Sequence, residues 1–258
     1  MLVLVLFFTG LVALDYDNTP LATLFASAVP HQIYQPTIPS ADQKVVCIVF
    51  DDGWKSQLDA VSILESFGYK ATFAIVTGYT NYPDYMDWRE IRSLASKGMD
   101  IASHTDTHAD LNNVNSDALF GELSKSQAVL RSRGYPANVL VYPYGDSANN
   151  KTVQDAVSQF YLVARGTVEG KCNISGCNRY NLHSYDVYHD VSLEDYAAYL
   201  EGTGGENITI LYYHKIGPQS EDTAVSREVF QAQVQYLHDN GYSVRTLSQL
   251  FLKDAPTH

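Results

Sequence analysis

The chain has 258 residues, of which 45% are hydrophobic and 18% charged. That length suits one larger domain with short extensions, and the composition is globular rather than disordered. With 17 basic against 29 acidic residues the formal net charge is -12, which argues against nucleic acid and against an anionic membrane surface, since both need clustered Lys and Arg. Neutral or cationic partners fit the balance better.

The first 14 residues, MLVLVLFFTGLVAL, are nearly all apolar. The run is short for a membrane span and suits the apolar region of a signal peptide. Ala26-Ser27-Ala28 offers a small-residue cleavage site. The expectation is export to the cell surface or medium, with residues 1–28 removed or kept as a hydrophobic anchor. No tight membrane association is expected once the segment is processed. Asn150, Asn173 and Asn207 each head an N-x-S/T sequon, which matters only in a glycosylating compartment. Cys172 and Cys177 bracket the polar stretch CNISGC, where a small disulfide loop is feasible after export. Cys47, inside VVCIVF, reads as a buried small hydrophobe.

Residues 29–43 read as a linker, and 44–253 as one domain. Lys44–Phe50 is a strand, followed by a helix near 56–67 that Gly68 closes. A strand follows at 71–76. Asp87-Trp88-Arg89-Glu90 has the form of a capping box and opens a helix that stops at Lys97-Gly98. Strands are expected at 99–103, 138–142, 161–164 and 208–213. Helices are expected at 116–133, 151–160, 192–201 and 226–240. Strands alternating with helices imply an α/β fold with a parallel sheet, doubly wound or closed as a (β/α) barrel. In both cases the functional residues gather at the carboxyl ends of the strands.

Four strand ends carry unusual residues. The first ends in Asp51-Asp52-Gly53. Adjacent carboxylates there repel unless a cation or a proton intervenes, although Asp-Gly is also a common turn. The third ends in Ser103-His104-Thr105-Asp106-Thr107-His108. Histidines four apart share one face of a helical turn, a spacing that suits two imidazoles on one metal. One Asp with two His is the donor set of a catalytic zinc that keeps a position open. Val141-Tyr142-Pro143-Tyr144-Gly145 places a turn after another strand, where an amide is available to a developing oxyanion. Leu211-Tyr212-Tyr213-His214 ends the last strand in a histidine, a candidate general acid.

The order F-D-D-G, S-H-x-x-x-H, Y-P-Y-G and Y-Y-H resembles the polysaccharide deacetylase family, the NodB homology domain, over roughly residues 44–252. The resemblance implies a single-domain distorted (β/α) barrel that hydrolyses N-acetyl groups on amino sugars of an acetylated polysaccharide or oligosaccharide. It implies one divalent metal ion, zinc first, with cobalt, nickel, manganese or iron as alternatives, and no organic cofactor. By position it makes Asp51 the general base and Asp52, His104 and His108 the metal ligands. The Tyr144 amide would be the oxyanion donor and His214 the general acid.

Three positions depart from the family. Val141 stands where an arginine usually orients the base, and no Asp-Trp pair follows Tyr144 to tune the acid histidine. Tyr212 replaces the leucine two residues before that histidine. Arg179, Asp186 or Asp190, in or beside the 170–190 segment, could supply the missing base and acid tuning. Other readings of the same site are an O-acetyl esterase on xylan-like chains, an amidase on another substrate, or a sugar-binding protein with impaired catalysis. A non-haem iron oxygenase also uses two histidines and a carboxylate, but leaves Asp51 unexplained.

Overall fold

A computed structural model describes residues 3–7, 10–14, 31–189, 191–218 and 223–254. The chain opens with β1 (Val3–Phe7) and β2 (Gly10–Leu14), paired antiparallel as a ribbon of their own. The expected cleavage site at Ala26-Ser27-Ala28 lies outside the described residues. Within the stretch read as a linker, β3 (Gln32–Tyr34) forms a short strand. The domain then continues with β4 (Lys44–Phe50), α1 (Leu58–Ser66), β5 (Thr72–Ile75), α2 (Trp88–Ser96), β6 (Asp100–Ser103) and α3 (Ser116–Ser132). Next come β7 (Val139–Val141), α4 (Lys151–Val157), β8 (Val163–Arg165), β9 (Cys172–Asn173), β10 (Tyr185–Asp186), α5 (Leu193–Leu200) and β11 (Asn207–Tyr213). It finishes with β12 (Lys215–Ile216), β13 (Ala224–Val225), α6 (Arg227–Asp239), β14 (Tyr242–Arg245), α7 (Leu247–Phe251) and β15 (Leu252–Asp254).

The expected helices and strands from 44 to 240 are present, with ends shifted by a few residues. The capping box forms as read: Asp87 accepts from the Arg89 and Glu90 amides, and Glu90 accepts from the Asp87 amide. Satisfying these first-turn donors fixes where α2 begins.

Seven strands run in the order β10-β11-β4-β5-β6-β7-β8, and every neighbouring pair is parallel. β14 lies along the first half of β4 and β5 along its end. The curl is closed by residues 182–186. Leu182 and Ser184 exchange backbone hydrogen bonds with Ala164, Gly166 and Val168, while Tyr185 and Asp186 pair with Leu211 and Tyr212. The result is the distorted single-domain barrel expected.

Side chains alternate across the strands, as the two-residue repeat dictates. Val45, Cys47 and Val49 of β4 join Val139, Val141, Val163, Ile208 and Ile210 in one buried cluster inside the barrel. Val46, Ile48 and Phe50 face outward and pack under α1 and α6. Phe50 stacks on Phe73 at 4.8 Å between ring centres. α7 plugs the amino-terminal end with Leu247, Leu250 and Phe251. It is tied there by Asp100, which accepts from the Ser248 amide and hydroxyl and from Thr72 Oγ1. Cys47 is fully buried as expected, and burial pushes its thiol far up. Cys172 and Cys177 both carry free thiols rather than a disulfide, and Cys172 Sγ donates to the His183 carbonyl and accepts from its amide.

Candidate active and metal-binding site

The carboxyl ends of the strands surround a pocket of about 280 Å³. Asp51, Asp52, His104, His108, Tyr144, Asp186, Tyr212 and His214 all line it. Every residue read from the four strand-end motifs therefore reaches one place.

The inward alternation of β4 carries straight on from Val49 to Asp51, which is 3% exposed. Asp52 follows with φ of 74° and turns outward. Its Oδ1 lies 3.2 Å from His104 Nε2 and 3.1 Å from His108 Nε2, and its Oδ2 accepts from Trp54 Nε1 at 2.7 Å. His104 Nδ1 is 2.8 Å from the Val141 carbonyl, an acceptor that holds the ring N–H and leaves Nε2 as a lone-pair donor. Burial raises the Asp52 carboxyl, but with protonated imidazoles the hydrogen bonds of His104 and His108 and the charges of His104 and His214 outweigh it and hold it far below its ordinary range. The three donor atoms lie within 4.8 Å of one another. A carboxylate oxygen and two imidazole nitrogens at that spacing fit a divalent ion of the zinc type.

The two histidines do not share a helical turn, as the spacing suggested. They sit on an irregular loop after β6, with Thr105 at φ 63° and His108 at φ 59°. Those left-handed residues reverse the chain within one turn and bring the rings to 4.8 Å centre to centre. Thr105 Oγ1 accepts from the His108 amide and fixes the reversal.

Asp51 is met by a residue absent from the expectations. Arg165, fully buried at the end of β8, donates from Nη2 to both Asp51 carboxylate oxygens. Val141 and Arg165 are partners in the β7–β8 register. The cation missing from β7 thus arrives from the next strand, one rung across. Its guanidinium also lies 4.4 Å above the ring of Tyr212, so the unusual tyrosine forms a floor for the relocated arginine. The two departures from the family belong to one arrangement.

Arg179 does not do this work. It stacks on Tyr34 and Tyr180 at 4.9 and 4.8 Å and is not among the pocket-lining residues. Asp186 does reach the site, with Oδ1 3.9 Å from His214 Nδ1. Both atoms are buried and neither has a hydrogen-bond partner. Burial pushes the Asp186 carboxyl up, His214 and Arg165 pull it down, and the Asp51 charge adds to the rise. Asp190 lies outside the described residues. Arg165 was legible only faintly: it is the one charge in the run YLVARG, one residue past the expected strand end.

Two smaller features hold the mouth together. Gln57 Nε2 donates to the Asp51 and His214 carbonyls, clamping the ends of β4 and β11. Tyr144 and Gly145 have φ of 60° and 79°. A side chain at Gly145 would overlap Thr167, so only glycine lets this turn approach the pocket. The Tyr144 ring sits 4.7 Å from that of His108 and is 64% exposed.

A carboxylate and two histidines at the strand ends of a barrel are a donor set that could hold a metal. The family model described as polysaccharide deacetylase matches residues 39–163. The chain is 31% identical over 143 residues to a gellan lyase of Bacillus sp, covering 54% of this chain and 5% of that protein. It is 26% identical over 128 residues to a peptidoglycan-N-acetylglucosamine deacetylase of Bacillus cereus, covering 48% of this chain and 44% of the other. Among solved structures, the Xyl-CE4 domain of a multidomain xylanase from the hindgut metagenome of Trinervitermes trinervoides superposes with a TM-score of 0.59. That match has 22% identity and covers 81% of this chain and 90% of the other, and it bears on the fold alone. The chain resembles the polysaccharide deacetylase family over these stretches. It spans less than half the length of these two curated relatives.

Proposed function

We propose that the protein is a metal-dependent hydrolase that removes N-acetyl groups from the amino sugars of a polysaccharide. The observation that carries this reading is the meeting of three elements around one pocket. These are the Asp52, His104 and His108 donor set, the Asp51–Arg165 pair, and His214 with Asp186. A metal held by the three donors would polarise the acetamide carbonyl and acidify water beside it. Asp51, held in place by Arg165, would accept a proton from the attacking water. The turn amide at Tyr144 would support the oxyanion. His214, facing Asp186, would give a proton to the nitrogen as the carbon–nitrogen bond breaks. Acetate and a free amine leave.

Zinc as the metal, an acetylated glycan as the partner and export of the chain are parts of the same proposal. The donor chemistry supports the first and the apolar run at residues 1–14 the last. The test is acetate release from a panel of N- and O-acetylated glycans by metal-reconstituted protein. Reconstituted protein should hold about one divalent ion per chain, from the donor count. His108→Ala should lose the ion and the activity together while staying folded. Full metal content in that variant would overturn the ligand assignment, and release confined to O-acetyl groups would overturn the substrate.

A further inference from the structure

The backbone amides from His104 to His108 need acceptors that a helix would have supplied, because Thr105 and His108 are left-handed and the loop between them is irregular. The His104 amide extends the sheet by donating to the Ile75 carbonyl. The Thr105 amide donates to Ser103 Oγ and the His108 amide to Thr105 Oγ1, both local partners. The two amides in the middle turn to a distant carboxylate. Asp106 and Thr107 donate to Glu122 Oε2 at 3.0 and 2.8 Å, and the Thr107 hydroxyl donates to Glu122 Oε1 at 2.6 Å. Successive amides around one anion form a nest, and bonds to a charged acceptor are stronger than neutral ones.

Glu122 belongs to α3, and Ser126 lies one turn further along the same face. Ser126 Oγ is 2.8 Å from Ser103 Oγ, the atom that accepts from the Thr105 amide. One face of α3 therefore meets the histidine loop at its start and at its middle. The opposite side of the loop is held by the segment after β5. There the Thr77 and Gly78 amides donate to the Thr105 and Asp106 carbonyls, and Tyr79 Oη donates to the Thr107 carbonyl. Carbonyls on one side and amides on the other are thus gripped by two different elements. Lys125 of α3 also reaches the loop, but only as an exposed pair 3.7 Å from Asp106.

We infer that Glu122 is a positioning residue for the metal site: by holding the Asp106 and Thr107 amides it sets the separation of the His104 and His108 rings, and with it the affinity for the ion. The inference rests on the reading of Asp52, His104 and His108 as metal ligands. β6 ends at Ser103, so the sheet fixes His104 and leaves His108 to the loop. Left-handed backbone at Thr105 and His108 is a conformation that side-chain-bearing residues avoid. Once the two middle amides are free to bond water, the loop has lower-energy conformations to enter. The ring separation then becomes a distribution, and an ion binds only the fraction that suits two imidazoles.

The test titrates zinc alone into the full chain against a competing chelator. Glu122→Ala should bind zinc roughly 10- to 100-fold more weakly than the parent, as loss of a group that orients metal ligands does. Alanine favours the helix at this half-buried position, so the variant folds. Glu122→Gln keeps an oxygen for the two amides and should recover most of the affinity. Lys125→Ala removes only the exposed pair and should stay within about 2-fold of the parent. Hydrogen exchange on metal-free protein gives an independent readout: the Asp106 and Thr107 amides should be slow in the parent and in Glu122→Gln, and fast in Glu122→Ala. Unchanged zinc affinity in Glu122→Ala overturns the inference. So does an equal loss in Glu122→Gln, because charge alone would then account for the effect. A parent that binds no zinc, while its two loop amides still depend on Glu122, would keep Glu122 as the anchor of the loop and overturn the metal reading instead.

Discussion

The two ends of the barrel interior are made from the same strands and differ in almost every physical respect. At the base, Leu247, Leu250, Phe251 and Leu252 fill the interior with apolar surface. The one buried acid there, Asp100, is pushed up by burial and accepts three hydrogen bonds from Thr72 and Ser248. At the mouth, Asp51, His104 and Arg165 are buried, and polar atoms of Arg165, Asp186 and His214 have no hydrogen-bond partner. Among the described residues, four of the six non-glycine residues with left-handed φ are Asp52, Thr105, His108 and Tyr144, at or beside the site. The change from one regime to the other takes a single side-chain repeat: Val49 to Asp51, Tyr212 to His214, Val163 to Arg165. The base carries stability, and the mouth gives some of it up to hold charges and strained turns where they act.

That division can be broken or sharpened by mutation. The largest effect is expected at Asp51→Asn, which should keep the metal but lower kcat by roughly 10²–10⁴-fold, as loss of a general base does. Equilibrium metal binding with steady-state kinetics checks this, and loss of metal would mean that Asp51 is a ligand. Arg165→Met should cost about 3–5 kcal/mol in denaturant unfolding, because it strands a buried carboxylate. The double variant Asp51→Asn with Arg165→Met should regain much of that stability and none of the activity. Phe251→Ala at the base should also cost about 3–5 kcal/mol through an unfilled cavity, yet leave kcat/KM near the parent value at temperatures where it is folded. Asp100→Asn should cost about 1–3 kcal/mol, since one of three donors would then face an N–H. The smallest effect compares two metal-free variants. His108→Gly should be more stable than His108→Ala by up to about 1 kcal/mol, because φ of 59° is open to glycine and strained for alanine. Equal stability would show that the mouth stores no strain at that residue.

Much of this was legible in the chain. Alternation of short apolar runs with amphipathic stretches implied a parallel sheet, doubly wound or closed as a barrel, the family resemblance pointed to the barrel, and the capping box at Asp87 placed the start of α2. Asp51, Asp52, His104, His108 and His214 could be picked out because each ends an apolar strand in a charge or an imidazole. The histidine pair was found by a spacing argument whose physical basis differs: a loop with two left-handed residues, not a helical turn, brings the rings together. Arg165 was missed because its role depends on strand register. Nothing local in YLVARG says that β8 lies beside β7 with Arg165 opposite Val141. Arg179 looked equally suitable as a sequence neighbour of the pocket segment, and only the fold places it on Tyr34. Trp54 was passed over for a similar reason, since its bond to Asp52 requires the turn at Asp52-Gly53.

The shared rung of Val141 and Arg165 also constrains how such a site can change by descent. One carboxylate can be served from either strand, so a lineage can move its arginine without moving its base. It cannot do so in a single substitution. The intermediate carries two arginines or none, and a chain with none would leave a bare carboxylate inside a barrel that folds around it. Two guanidiniums on one carboxylate crowd each other but keep it compensated, so redundancy is the passable route.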